Sequence, residues 1–89
     1  MSKVIVKKFD EKKLTDLGIE SWPVWTKEVS RFEWTYSGTE ECYIIEGEFV
    51  VETDDGKYEV KAGDFVTFED GLSCIWDIKK PVKKYYNFS

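Results

Sequence analysis

The chain has no histidine. That absence excludes imidazole zinc and iron sites, Ser-His and Cys-His nucleophile pairs, and histidine general bases, and with them most common enzyme designs. Cysteine is nearly absent too. Cys42 and Cys74 are the only two among 89 residues, too few for a disulfide scaffold. Basic residues are the minority, 13 against 18 acidic, for a net charge of -5. That balance argues against a nucleic-acid partner, which needs a basic surface. No apolar run approaches the ~20 residues of a membrane span, and the first residues, Met1 to Ile5, carry no signal-peptide core. The expected location is cytoplasmic, with no membrane partner.

Aromatic residues are what the chain has in quantity: four Trp, five Tyr and six Phe. They bury large areas at low entropic cost and favour strands over helices. With 35% charged residues and only two prolines, the chain reads as ordered and soluble. Eighty-nine residues make one domain. A chain so short buries only about 60–65% of its unfolded surface, so its core must be dense or shared with a second copy. The expected assembly is a homodimer.

Val4-Ile5-Val6 with Phe9 reads as a first strand, and Asp10 as the cap of a brief helix from Glu11 to Leu17 closed by Gly18. Ser21 to Trp25, with Pro23 inside it, reads as an extended connector whose two tryptophans cover one end of the domain. From Val29 the pattern has period two, with Phe32, Trp34 and Tyr36 on one strand face. Glu41 to Thr53 reads as a long strand bent at Gly47, and Asp54-Asp55-Gly56-Lys57 as a hairpin turn. Tyr58 to Val60, Phe65 to Phe68 and Leu72 to Ile78 follow as strands; Pro81 breaks the chain before a last strand from Val82 to Phe88. Lys79, Lys80, Lys83 and Lys84 read as a solvated edge strand guarded by lysines. Asp64, Asp70 and Asp77 read as turn and surface groups. Short strands with turn signals every 8–12 residues indicate an all-β barrel or sandwich with one short N-terminal helix.

Two segments resemble the cupin superfamily. Its first motif ends in Glu with Gly seven residues later, as in Glu40 to Gly47; its second has the glycine spacing seen from Gly63 through Gly71 to Cys74. More narrowly, Ser21-Trp22-Pro23, Trp34-x-Tyr36, Glu41 to Ile44 and Gly71 to Trp76 make the chain similar to small single-domain cupins related to the ureidoglycine aminohydrolase cupin domain. The resemblance implies a double-stranded β-helix, the jelly-roll barrel, over residues 1–89. Residues 1–28 would form the N-terminal strand, helix and cover segment, and 29–89 the barrel. Counted on the motifs, the three histidine positions of the metal-binding members fall on Trp34, Tyr36 and Cys74, and only Glu40 keeps its metal-ligand type.

Trp34, Tyr36, Glu40, Cys74 and, by strand parity, Trp76 are therefore expected to point into the barrel. As a ligand site they make an aromatic pocket with one acid, suited to a small organic molecule, with no cofactor. The plain alternative is a core that filled in, since small barrels are commonly packed solid. A buried carboxyl group without a partner either carries a large desolvation cost or holds its proton, which is how general acids are made. Glu40 and Cys74 are thus the catalytic candidates of an enzyme reading, in ureide or nitrogen metabolism by likeness. Cys74 lacks a histidine base, and a free cysteine is most simply a small buried hydrophobe. If Cys42 also turned inward, Glu40, Cys42 and Cys74 would offer three ligands to a thiophilic ion. Glu40 and Glu41 are strand neighbours facing opposite sides, so they are not a catalytic carboxylate pair.

Overall fold

A computed structural model describes residues 3–88. Two long strands carry the architecture: β4, Glu40–Thr53, and β7, Ser73–Phe88. They run antiparallel over nearly their whole length, from Glu40 beside Phe88 to Glu52 beside Ile75. Register shifts between Ile44 and Phe49 interrupt this ladder. Gly47 sits at the break with φ 105°, a conformation that favours glycine, and a Cβ there would fall on the Pro81 carbonyl oxygen and 2.8 Å from Val82 Cα. Pro81, which donates no ladder hydrogen bond, lies opposite in the same irregularity. Both strands bend here, and each half joins different neighbours.

The remaining strands divide between those halves. The first half of β4 pairs with β6, Phe65–Phe68, which pairs with β1, Val4–Lys7. The second half of β7 pairs with β2, Val24–Lys27. Beyond the bend, β4 pairs with β5, Gly56–Lys61, and β7 pairs with β3, Ser30–Thr35. All seven strands are antiparallel, and alternate residues of β4 and β7 face a common core led by Phe49, Phe68, Ile44 and Ile78. Each such side chain contributes roughly 1.5–3 kcal/mol on burial. Trp76 joins the layers: it stacks on Phe49 at 4.2 Å and meets Phe68 of β6 at 5.6 Å. This is the expected all-β cupin barrel.

The helix α1, Glu11–Leu17, forms as the sequence indicated. Asp10 accepts from the Lys13 backbone N–H at 2.8 Å, and Gly18 ends the helix at φ 69°. A 3₁₀ turn, Ile19–Ser21, follows that the sequence reading did not include. No helix is long and apolar enough to cross a membrane among the described residues.

Several expectations are corrected. Pro81 does not end a strand; β7 continues through it because the bend opposite Gly47 needs no N–H from residue 81. The Ser21–Trp25 connector already contains the start of β2, so the N-terminal segment adds β2 to the barrel sheet beside the expected first strand, β1. Its tryptophans part company, Trp22 lying 6.3 Å from Phe65 and Trp25 lying 5.8 Å from Trp76. Asp64 is not a surface group: it is buried, accepts from the Lys61 N–H at 3.0 Å and pairs with Lys8 at 2.6 Å, closing the turn into β6. Lys84, placed by the sequence reading among solvated edge lysines, is also buried, because Val82 and Lys84 take the inward parity of a strand that has a neighbour on each side. Residues 1, 2 and 89 of the expected domain span lie outside the described residues.

Candidate functional site

The barrel is open between β2 and β3. Each of these strands pairs only with β7, on opposite sides of its bend, and a cleft of about 690 Å³ enters between them. Trp25 of β2, Phe32 and Trp34 of β3, and Trp76 and Phe88 of β7 form its aromatic walls; Glu40 and Lys84 reach it from the ladder. Lys27, Glu28 and Glu33 stand at its rim.

Glu40 opens β4 with its side chain inward, 5% exposed. The parity that buries Val82 brings Lys84 to the same place, and its Nζ donates to Glu40 Oε2 at 2.9 Å with the lysine side chain also 5% exposed. Two indole rings flank the ammonium, Trp76 at 4.7 Å and Trp25 at 4.8 Å from ring centre to Nζ. A desolvated cation over a tryptophan face gains up to about 2 kcal/mol. Such contacts offset part of the several kcal/mol that withdrawing each ion from water costs. The pairing is incomplete. Glu40 Oε1 is buried without a hydrogen-bond partner, and so is Trp76 Nε1. An unmet buried polar atom costs about 1–3 kcal/mol, so its retention calls for a reason.

The neighbouring acids are held protonated. Burial pushes the Tyr36 phenol far above its ordinary value; the nearby Glu40 charge, and the approach of the Tyr36 hydroxyl to the Glu40 carboxylate without full hydrogen-bond geometry, push the same way. Burial pushes the Cys42 thiol up to about 12, with Lys84 opposing and Glu40 reinforcing. For Cys74 burial raises the thiol to about 11, although the Trp76 indole N–H, leaning toward its sulfur without full hydrogen-bond geometry, opposes the rise. The Cys74 thiol donates to the Trp34 carbonyl at 3.6 Å.

Of the five residues expected in the barrel, the structure brings four to the cleft: Trp34, Tyr36, Glu40 and Trp76. Cys74 is buried but does not line it, and as a protonated thiol at neutral pH it is a poor nucleophile. Trp34 is half exposed, because β3 is an edge strand that carries it to the rim and not to the floor. Its ring still meets Tyr36 edge-on at 6.4 Å. Lys84, Trp25, Phe32 and Phe88 were not anticipated. Two signals were usable: Phe32 shares a strand face with Trp34 and Tyr36, and Lys84 shares the parity of Val82 on the last strand.

The metal centre that cupins commonly hold does not fit this donor set. Its histidine positions carry two aromatic side chains and a protonated thiol, and its carboxylate is engaged by an ammonium. Cys42 does turn inward, but Glu40, Cys42 and Cys74 are not gathered into a ligand cluster. No group of three His, Cys, Asp or Glu side chains able to hold a metal exists among the described residues.

Fold and site together define a cupin barrel without the histidine centre. The chain belongs to the family of EutQ-like cupin domains, whose model matches residues 14–86. It is 48% identical to a DUF861 family protein from Thermotoga maritima of known crystal structure, covering 97% of this chain and 99% of that one with a TM-score of 0.94. It is also similar to a DUF861 member from Pseudomonas syringae pv. tomato, at 28% identity over 71% of this chain and 28% of that one, with a TM-score of 0.65. A putative ethanolamine utilization protein Q from Salmonella typhimurium shares the fold, at 21% identity and a TM-score of 0.65, over 93% of this chain and 66% of that one. No protein of curated function matches the chain.

Proposed function

We propose that this cupin is a small-molecule-binding barrel whose recognition depends on an aromatic cleft and the Glu40–Lys84 pair, with no metal ion required. The observation that carries the reading is Glu40, a residue that lines a cleft of about 690 Å³ and whose buried Oε1 has no full hydrogen-bond partner. A filled barrel would have no such opening, and a purely structural ion pair gains nothing by leaving an acceptor unmet. The cleft also lies within the range of small-ligand pockets, about 300–1,000 Å³, and has their usual aromatic lining with a few polar groups.

The test is a thermal-shift screen of untagged protein against small aromatic and heterocyclic compounds, alongside Trp34→Ala. Binding raises the melting temperature with compound concentration, and the shift shrinks in the variant. A library that leaves the melting temperature unchanged would sink the proposal in favour of a structural module. An enzymatic version, in ureide or nitrogen metabolism, uses Glu40 alone, since Cys74 stands off the cleft; it predicts turnover that is abolished in Glu40→Gln protein whose folding is checked by circular dichroism. Association of two copies and a cytoplasmic location belong to the same reading. Exposed Ile5, Val6 and Val24 on the edge strands β1 and β2 support the first, and two free thiols the second. Light scattering that returns a monomer would remove the dimer.

A further inference from the structure

Resting on the binding reading above, we infer that the cleft takes an uncharged, flat cyclic amide, whose N–H donates to Glu40 Oε1 and whose adjacent carbonyl faces the Lys84 ammonium.

Three observations converge on that chemistry. The first is the unmet acceptor. Glu40 is 4% exposed and lines the cleft, and its Oε2 is taken by Lys84 at 2.9 Å. Its buried Oε1 has no full hydrogen-bond partner, only the Tyr36 hydroxyl near the carboxylate, so an occupant that reaches Oε1 would supply a donor. Lys84 has three N–H groups and gives one to Glu40, which leaves it able to receive a ligand carbonyl. An N–H and a C=O side by side are what a lactam presents.

The second is charge. Glu40 and Lys84 cancel within one contact, so the floor of the cleft is a dipole and not a charge. A cationic ligand that reaches Oε1 meets the Lys84 ammonium beside it; an anionic ligand that reaches Lys84 meets Glu40. Either one also gives up its hydration to enter an aromatic cleft. Glu28 and Glu33 outnumber Lys27 at the rim and disfavour anions further. A neutral dipolar molecule escapes all three costs.

The third is shape. Two of the large apolar side chains that the chain leaves exposed, Trp34 at 50% and Phe88 at 47%, both line this cleft. With Phe32 and Trp25 they offer ring faces and edges on which a planar guest stacks.

The experiment is calorimetric titration of the full chain with four ring compounds of similar size. Oxindole carries the N–H and carbonyl, N-methyloxindole has the N–H blocked, benzylammonium is a cation and benzoate an anion. The expected order is oxindole first, roughly tenfold or more ahead of N-methyloxindole, because a hydrogen bond to a charged acceptor is lost. Both ions bind more weakly still. In Glu40→Gln the advantage of oxindole over its methyl derivative collapses. That variant leaves Lys84 buried without its partner and can fail to fold, so the half-exposed Trp34→Ala is measured beside it. Trp34→Ala weakens every ring compound while keeping the oxindole preference. Equal binding of oxindole and N-methyloxindole overturns the inference, since Glu40 Oε1 would then be served from within, by the Tyr36 hydroxyl. Tighter binding of benzylammonium or benzoate overturns it too, yet leaves the small-molecule reading standing. Silence from all four compounds, with no melting shift in the wider screen, removes both.

Discussion

Arg31 and Lys84 each hold acidic partners, and their surroundings could hardly differ more. Arg31 lies on the outer face, where Glu52 and Asp77 flank it and Lys79 extends the network from Asp77 at 2.8 Å. Its cations are more than half exposed and its carboxylates about one-fifth, so water reaches the cluster and screens each attraction. Lys84 and Glu40 sit in the barrel with 5% of either side chain exposed. There the attraction is stronger, but so is the cost of leaving water, and hydrophobic residues in the same volume would stabilise the fold as well or better. The outer cluster is what a soluble strand pair acquires at little cost. The inner one is retained against a cost, and that contrast makes it the candidate site.

The contrast can be broken. Lys84→Met alone leaves Glu40 buried without its partner and should destabilise the fold by about 3–5 kcal/mol in urea unfolding. Adding Glu40→Leu should recover most of that loss; a double variant no better than the single would mean that shape, not charge, makes Lys84 matter. Gly47→Ala tests the bend that opens the two halves of β4 and β7 to different partners. Its φ of 105° and its approach to the Pro81 backbone predict a loss of at least ~1–3 kcal/mol, read from the same unfolding curves.

A smaller effect comes from the thiols beside the inner pair. Their native values, about 12 for Cys42 and about 11 for Cys74, stand above the ordinary 9.0. The unfolded chain therefore releases these protons first as pH rises. The stability they contribute is complete below pH 9.0 and is lost as pH climbs toward the native values. Cys42→Ala should flatten the alkaline fall in stability; an unchanged slope would show that the thiol does not differ between the two states. The smallest effect belongs to Arg31→Ala. Its carboxylate partners Glu52 and Asp77 titrate below their usual range, chiefly through hydrogen bonds from Arg31 and Lys79 respectively. That contribution is present at neutral pH, fades as pH falls through those depressed values, and is screened by salt. A melting temperature that drops sharply in Arg31→Ala, undiminished by salt, would erase the distinction between the clusters.

Local signals wrote most of the fold. Asp10 and Gly18 bracket the helix by their own backbone chemistry, and Gly47 marks the bend because only glycine fits φ 105° against another backbone. The motif spacing placed Glu40, Tyr36 and Trp76 inside the barrel, since alternation on a strand fixes the face of every residue once one is known. The same rule failed for Trp34, because parity says which face a residue takes and not whether another layer covers it. β3 ends its sheet, so an inward residue on it reaches the rim.

The sequence by itself determined an all-β barrel, one capped helix, a bent central strand and a site without imidazole, since each follows from residue type and spacing along the chain. What only the tertiary structure decided is the company those residues keep. Lys84 and Glu40 are 44 positions apart, and nothing local says that one strand will bring the first beside the second between two tryptophans from different strands. Charge, burial and ring contact are properties of neighbours in space, and the β4–β7 ladder is what makes Lys84 and Glu40 neighbours.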